Sequence, residues 1–439
     1  MSLDVIITGG GFSGVFCAKI LSAAGYKVLL IDRHPETELG SRFESVMLDV
    51  DTFSKTAMER PQGDELLHLL DQFYAYSPSA RIKKPIDFSS ILVNGYALLQ
   101  RLFHEALENN LSYLQAEVKG PLVENNRVSG VGADRRVSGV ELKTGEQLKA
   151  RLIIDASGMH QVLSSQLAAL GLPLSEHPLT LESEYGIAYR RMCQSQTGDS
   201  ELHIYFSVEG GYVWRSPNDI GVGMMSRVEP EQVKMILDQA IEQFGWEVGE
   251  ISQEALGKIP LRYPLTNMVT NGFATVGDAA FMVNSVRGGG ISAGLKGAKA
   301  LAEVAKVALA EQDLSQERLW EYNLNYQRDV GAQLAYQDVM RMILMNESVE
   351  NMEFAFERDI ITADDIRSAL GGKILDFSTM QKLQKGLRGA SNPSLLLRFN
   401  HRLNWAGDLH KHFKSYPSEP AGYAAWESHL HQIQEHIQQ

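Results

Sequence analysis

Two glycine-rich stretches of this chain combine residue types that can hold a large phosphorylated group. Residues 9–14 have the spacing G-x-G-x-x-G and lie between a short apolar run and a pattern of helical period. Asp278 follows a second apolar run, "GFATV", and the glycines at 288–290 precede another helical pattern. Glycine has no Cβ, so these positions let another group approach the backbone. The chemistry to expect is the binding of a cofactor at the first turns of two helices.

The first stretch has the features of a dinucleotide site. Its glycines provide a tight turn, close approach to a pyrophosphate, and close packing of a helix on a strand. Asp32 ends the next apolar run, where a carboxylate can accept hydrogen bonds from ribose hydroxyls. Arg33, its neighbour, is either an adenine contact or a solvated surface charge. The residues that we assign to this part of the site are Gly9, Gly11, Phe12, Ser13, Gly14, Asp32, Arg33 and Val118.

The second stretch distinguishes a flavin from a nicotinamide. An acid at a strand end can bind a ribityl hydroxyl, and a helix N-terminus stabilises negative charge on the ring of a reduced flavin. The cofactor that we predict is therefore FAD. We expect it to be bound without a covalent link, because neither Cys17 nor Cys193 lies in a segment assigned to the ring. The residues that we assign here are Gly277, Asp278, Gly289, Gly290 and Ile291.

The order of the apolar patterns predicts an α/β fold. The opening segment alternates as strand, glycine turn, helix and strand, and residues 179–262 show several short strands with one helix. We predict a Rossmann-type FAD-binding domain made of residues 1–178 and 263–310. An antiparallel β-sheet substrate domain is inserted at 179–262, and a helical C-terminal region follows at 311–439. Within the first part, the run "DELLHLLDQFYAY" predicts a helix.

Four segments resemble the FAD-dependent proteins that share the p-hydroxybenzoate hydroxylase fold, and within them the geranylgeranyl reductase family. They are "GGGFSG", "LIIDASG", "GGYVWRSP" and "GDAAFMVNSVRGGGISAGLKGA". Ser216 stands where the family motif Y-x-W-x-F-P has Phe, and Ser285 stands near a usual Pro. The early cysteine of the family has no counterpart in "GSRFESVMLDV". The resemblance covers residues 1–310.

The resemblance implies roles for Tyr212, Trp214 and Glu44, and it also implies that Arg42 lies in a loop over the flavin and contacts the cofactor. The position of Arg287 just before the glycines gives that residue a candidate role as well. Tyr212 and Trp214 would line an apolar cavity against the flavin; the alternative is an ordinary core between sheets. Arg287 would hold an anionic group of the substrate or the edge of the flavin, and otherwise it forms a surface salt bridge. Glu44 would donate a proton in place of the missing cysteine, and otherwise it is an exposed carboxylate.

The same resemblance implies an enzyme in which reduced FAD delivers hydride to carbon–carbon double bonds of an apolar, isoprenoid-like substrate. No second nucleotide fingerprint is present, so electrons would come from transiently docked NAD(P)H or from a ferredoxin-like protein. One alternative is a flavin-dependent monooxygenase or halogenase, although the halogenase motif W-x-W-x-I-P is missing. An alternative of another class is a non-catalytic FAD-binding module.

The amino-acid composition limits the kinds of molecule that this protein is expected to bind. The 41 Lys and Arg residues against 54 Asp and Glu give a net charge of -13, which argues against nucleic acid and disfavours tight binding to anionic lipid. We also include peripheral contact with a membrane among the expected interactions, because the substrate would be apolar. The chain shows neither a signal peptide nor a long apolar run, so we expect a cytoplasmic protein. Six of the 12 histidines follow position 400, but without a recognised metal-ligand spacing we expect no metal there.

Overall fold

The computed structural model describes residues 3–126, 134–175, 185–195, 201–225, 228–371 and 373–438. The strands are β1 (Leu3–Thr8), β2 (Val28–Asp32), β3 (Val46–Asp49), β4 (Leu66–Tyr76), β5 (Lys83–Val93), β6 (Leu111–Gln115), β7 (Val118–Asn126), β8 (Asp134–Leu142), β9 (Gln147–Asp155), β10 (Tyr185–Ser195), β11 (Leu202–Tyr205), β12 (Gly211–Arg215), β13 (Asp219–Met224), β14 (Val248–Pro260), β15 (Val269–Thr270) and β16 (Phe273–Thr275). The helices are α1 (Phe12–Ala23), α2 (Asp51–Thr56), α3 (Gly95–Leu107), α4 (Ser164–Ala169), α5 (Pro230–Phe244), α6 (Ile291–Glu311), α7 (Gln316–Tyr326), α8 (Ala332–Asn346), α9 (Val349–Glu357), α10 (Ala363–Leu370), α11 (Thr379–Arg388), α12 (Pro393–Lys414) and α13 (Tyr423–Gln438).

The first sheet is built on the predicted strand–helix–strand opening, which is confirmed as β1–α1–β2. Its order is β15-β16-β9-β1-β2-β6; the five strands from β16 to β6 run parallel to one another, and β15 pairs antiparallel with β16. β7 and β8 continue from β9 as an antiparallel branch. The carboxyl ends of parallel strands meet at one edge, where open α/β sheets bind ligands. The two glycine stretches follow β1 and β16 and therefore lie at that edge.

The second sheet has the order β14-β10-β13-β12-β11-β4-β5-β3. Its neighbours are antiparallel except for β11 and β4, which run parallel. The helix predicted at "DELLHLLDQFYAY" is wrong, because this segment is β4. The inner part of β4 alternates between buried and more exposed residues and pairs with both β5 and β11. Cross-strand pairing therefore decides its conformation over local helical preference.

Strands from two separate parts of the chain form this sheet. β3, β4 and β5 lie within residues 46–93, whereas the other five strands lie within 185–260. The fold class is confirmed, since a Rossmann-type sheet, a second largely antiparallel sheet and a helical C-terminal region are all present. The division at 178, 262 and 310 stays a prediction, and its first boundary lies outside the described residues.

The C-terminal helices continue the core of the first sheet. Buried side chains of β1, α1, α6, α7, α8, α12 and α13 belong to one apolar cluster. A second cluster packs α9 against β4 and β5. In the described part of the chain, no helix combines the length and apolarity that a membrane span requires.

Candidate functional site

One cavity of about 1930 Å³ connects the edge of the first sheet with the face of the second sheet and with α8 and α10–α12. Ordinary ligand pockets have volumes of roughly 300–1,000 Å³. The cavity can therefore hold a dinucleotide together with a second, elongated molecule. Among the residues assigned from the sequence, all except Gly14 and Glu44 lie on its wall.

The first glycine stretch has the geometry of a phosphate-binding turn. A Cβ on Gly9, whose φ is +109°, would lie 2.3 Å from the carbonyl oxygen of Ala156, and one on Gly14 would lie 2.0 Å from the carbonyl oxygen of Gly9. Both positions therefore exclude a side chain because of close packing. A Cβ on Gly11 would instead meet open space at the N-terminus of α1. This opening leaves room for a ligand at the first turn of the helix.

Asp32 lies where a ribose-binding carboxylate is expected. Its Oδ2 accepts a hydrogen bond from the Gly10 amide at 2.7 Å, and its Oδ1 accepts one from the His34 amide at 2.9 Å. These bonds fix the carboxylate at the end of β2. Arg33 and Val118 lie on the cavity wall nearby, so the structure brings these predicted residues together.

The second stretch surrounds Asp278 with small residues. A Cβ on Gly290 would lie 2.9 Å from Oδ1 of Asp278, so glycine makes room for the carboxylate. No hydrogen bond to this carboxylate comes from the residues that the structure describes, and burial raises its pKa, with a smaller opposing effect of Arg42. Gly289 faces open space apart from the Arg287 side chain at 3.5 Å or more. Asp278 thus has no hydrogen-bond partner among the described residues and lies next to glycine backbone. This arrangement fits a ligand that donates hydroxyl groups to the carboxylate.

These observations support FAD as the occupant. The open turn at Gly11 suits the pyrophosphate, Asp32 suits the ribose, and Asp278 suits the ribityl chain. Buried hydroxyls of Ser45 and Ser285 also lie on the wall without a hydrogen-bond partner among the described residues. Both oxygens are buried behind the surface of the wall, so these serines shape the cavity and do not add to the polar groups open to a ligand.

The aromatic pair of β12 faces the cavity. Tyr212 pairs with Gly223 and Trp214 with Gly221 across to β13. A Cβ on Gly221 would lie 2.3 Å from the Trp214 ring, so the glycines let the rings lie against the neighbouring strand. Burial raises the pKa of Tyr212 to about 12, partly opposed by the charge of Arg287. The phenol therefore stays protonated and can donate a hydrogen bond into the cavity.

Arg287 and Glu44 have different surroundings from each other. Arg287 lies on the cavity wall and its Nη2 donates to Oδ1 of Asp49 at 2.5 Å, so it forms a partly buried ion pair. Lys296 lies 4.0 Å from the same carboxylate and 2.8 Å from Asp51. Glu44 is exposed and lies off the cavity wall, which agrees with the alternative of a solvated carboxylate.

Known proteins resemble this chain both in its N-terminal part and along most of its length. The profile of the family described as FAD dependent oxidoreductase matches residues 4–171. A digeranylgeranylglycerophospholipid reductase of Sulfolobus acidocaldarius is 26% identical over 97% of this chain and 96% of its own length. A reductase of the same description from Methanocaldococcus jannaschii is 23% identical over 91% of this chain and 98% of its own. Residues 4–171 thus match the FAD-dependent oxidoreductases, and the reductase relatives extend over nearly the whole chain.

Solved structures show the same fold over most of this oxidoreductase. A geranylgeranyl bacteriochlorophyll reductase-like protein of Thermoplasma acidophilum superposes with a TM-score of 0.74 at 17% identity, covering 91% of this chain and 99% of the other. The myxobacterial chondrochloren halogenase, an FAD-dependent enzyme, gives a TM-score of 0.60 at 18% identity, covering 88% and 96%. The fold is therefore common to reductases and to halogenases of this cofactor class.

The sequence did not reveal the hydrogen-bond network that holds Trp214. Asp219 accepts hydrogen bonds from Nε1 of Trp214 at 2.8 Å and from Oγ of Ser216 at 2.7 Å. Nη1 of Arg190 lies 3.7 Å from the same carboxylate and donates to the carbonyl of Ser45 at 2.5 Å. Ser216, which stood out as a departure from the family motif, is thus part of this network. Only the polar run "RSPND" within an apolar segment could have signalled it.

Sequence analysis also missed Ser45, beside Glu44. Ser45 is 1% exposed, whereas Glu44 is exposed to solvent. In the segment that stands in place of the family's cysteine, Ser45 and not Glu44 therefore belongs to the cavity wall. In the described part of the chain, no three His, Cys, Asp or Glu side chains are placed to hold a metal ion.

Proposed function

We propose that this protein reduces carbon–carbon double bonds in the isoprenoid chains of a membrane lipid. The observation that carries the proposal is the cavity that continues from the FAD-binding edge, past Tyr212 and Trp214, to a largely apolar wall formed by side chains of α10 and α12. Such a shape suits a long hydrocarbon chain whose reacting bond lies beside the cofactor. Relatives that are named as reductases of digeranylgeranylglycerophospholipid support the same substrate class.

Bound and reduced FAD supplies the hydride chemistry. The residues of this chain bind, orient and exclude water. Tyr212 and Trp214 provide an aromatic wall against which an apolar chain can pack. Tyr212 carries a hydroxyl that can hold or pass a proton at this wall, in place of the missing cysteine.

The location and the electron donor form part of the proposal. We place the enzyme in the cytoplasm, in peripheral contact with the membrane that holds its substrate. Its two cysteines are both buried and free, which suits a reducing compartment. The donor is NAD(P)H in transient contact or a ferredoxin-like protein.

Anaerobic flavin oxidation tests the proposed activity. The FAD-loaded protein is photoreduced, and phospholipid that carries geranylgeranyl chains is added in detergent. We expect the flavin to return to its oxidised spectrum, with a gain of two hydrogens per double bond in the mass of the lipid. A matched phospholipid with saturated chains should leave the flavin reduced.

Two outcomes would contradict this activity. Rapid oxygen uptake that the lipid stimulates would indicate a monooxygenase. A reduced flavin that no unsaturated lipid reoxidises would indicate a non-catalytic FAD-binding module.

A further inference from the structure

Helix α11 turns its apolar side away from the protein. Met380, Leu383 and Leu387 recur at intervals of three and four residues and are 62%, 58% and 70% exposed. None of the residues of α11 is buried. A surface helix ordinarily turns such a stripe toward the core, so this arrangement requires another apolar partner.

The opposite side of α11 attaches the helix to the protein. Nζ of Lys385 donates to the carboxylate of Asp365 at 2.5 Å and to the carbonyl of Ile360 at 2.6 Å. Lys382, Lys385 and Gly386 lie on the wall of the cavity. The helix therefore separates the apolar end of the cavity from the surroundings, with its stripe on the outer side.

The segment that contains α11 is basic in sequence, with Lys385 paired to Asp365 and with Arg398 and Arg402 next to Glu347. Residues 377–407 contain no Asp or Glu, while the chain as a whole has a net charge of -13. The basic residues of this segment are Lys382, Lys385, Arg388, Arg398 and Arg402. Lys382 and Arg388 are exposed on α11 itself. An exposed apolar stripe flanked by basic residues is the pattern of a helix that lies in the interface of an anionic bilayer.

We propose that α11 docks the protein on the surface of an anionic lipid bilayer, with Met380, Leu383 and Leu387 inserted among the lipids. The apolar end of the cavity then lies next to the membrane, from which an isoprenoid chain enters. Only this last step rests on the proposed function. A second copy of the chain is a poorer occupant, since three side chains cannot approach the roughly 1,200–2,000 Å² of a stable interface.

Sedimentation with vesicles tests the docking surface. The FAD-loaded protein is mixed with vesicles of phosphatidylcholine, with or without phosphatidylglycerol. We expect binding that increases with phosphatidylglycerol and decreases with salt. The combined variant Met380→Gln, Leu383→Gln, Leu387→Gln should lose about tenfold or more in partition, because its apolar stripe is gone.

A matched control replaces one Met and two Leu elsewhere. Met235, Leu69 and Leu170 are 58%, 65% and 53% exposed and lie off the cavity wall, so their change to Gln should leave binding unchanged. Arg388→Glu should reduce the dependence on phosphatidylglycerol. FAD content and far-UV circular dichroism show whether each variant is folded.

Three results would overturn the inference: no binding of the wild type to either vesicle, equal loss in both combined variants, or a dimer in gel filtration that the α11 variant abolishes. Vesicle binding does not depend on turnover. Its failure, with reduction of lipid in detergent intact, would therefore leave the proposed activity standing.

Discussion

At the scale of the residue, Asp278 and Gly289 lie on the same part of the cavity wall. Asp278→Ala removes a charge-assisted hydrogen bond, which we expect to weaken FAD binding by roughly 1.5–3 kcal/mol. Gly289→Val places a branched side chain where the backbone is open, and we expect a loss of several kcal/mol in FAD affinity. Equilibrium dialysis of FAD measures both changes.

Gly407→Val is a suitable comparison for the second variant, because no atom lies within 4 Å of a Cβ built there and Gly407 is off the cavity wall. It should retain FAD. Full FAD occupancy and an unchanged flavin spectrum in both Asp278→Ala and Gly289→Val would show that the flavin site is placed wrongly.

Asp219 offers a separate test of the substrate side. Asp219→Ala leaves Nε1 of Trp214 and Oγ of Ser216 without their acceptor, at a cost of about 1–3 kcal/mol. We expect Trp214 to lose its fixed orientation, so that KM for the lipid increases while FAD content is unchanged. Steady-state kinetics and tryptophan fluorescence measure the effect, and Asp219→Asn, which keeps one acceptor oxygen, should recover part of it. Loss of FAD instead would assign Asp219 to the stability of the fold.

At the scale of the element, the two glycine stretches meet through Ser13. A Cβ on Gly294 of α6 would lie 2.5 Å from Oγ of Ser13 at the start of α1, and a Cβ on Gly277 would lie 2.6 Å from the same oxygen. The glycines therefore allow the first turns of α1 and α6 to approach. This contact aligns the two glycine stretches, which we predict to bind the phosphates and the flavin.

The variant Gly294→Ala tests this contact, because the contact decides whether the substitution raises or lowers the free energy of unfolding. In an exposed helix the change would stabilise by about 1 kcal/mol, but here we expect a lower free energy of unfolding and weaker FAD binding. The double variant Ser13→Ala, Gly294→Ala removes the oxygen that clashes, and its Cβ atoms would be 3.9 Å apart. Urea unfolding should show partial recovery in the double variant. A stabilising effect of Gly294→Ala alone would contradict the tight contact.

The elements differ in how far the sequence predicts them. The sequence predicts β1, α1 and β2 correctly from their apolar runs and the glycine turn, because these elements are buried and their pattern is local. β4 was predicted as a helix, since its leucines fit either period and only its distant partners β5 and β11 resolve the ambiguity. β14 was missed because most of its residues are polar or exposed. Asp219 and Ser45 act through contacts with distant strands and loops, which no local pattern contains.

At the scale of the whole molecule, the C-terminal helices share one apolar core with the first sheet and its helices α1 and α6. Nε1 of Trp320 donates to the carbonyl of Pro417, and the hydroxyl of Tyr416 donates to the carbonyl of Thr266. The loop between α12 and α13 is therefore bonded to α7 and to the segment before β15. A change that loosens α12 and α13 should be transmitted to the cofactor.

His412 makes this coupling sensitive to acid. His412 is 6% exposed, and its ring stacks on the Trp426 ring with 4.4 Å between the ring centroids. Its Nε2 lies 3.0 Å from the Trp426 carbonyl oxygen. Burial and the neighbouring His429 lower the pKa of His412 to about 4, below the ordinary 6.5. Between these two values the unfolded chain binds a proton that the folded chain does not. The contribution of His412 to stability is therefore complete above pH 6.5 and is lost as the pH falls toward 4.

We expect the free energy of unfolding to fall by up to about 2 kcal/mol between pH 7 and pH 5 through this histidine alone. His412→Gln removes the titrating group, so this variant should lose less stability over the same interval, although it starts lower at pH 7. His431→Gln, an exposed change on α13, should retain the dependence of the wild type on pH. Urea unfolding followed by tryptophan and flavin fluorescence measures all three proteins. Because the core is shared, both signals should change together, and an equal pH dependence in the wild type and His412→Gln would refute the role of His412.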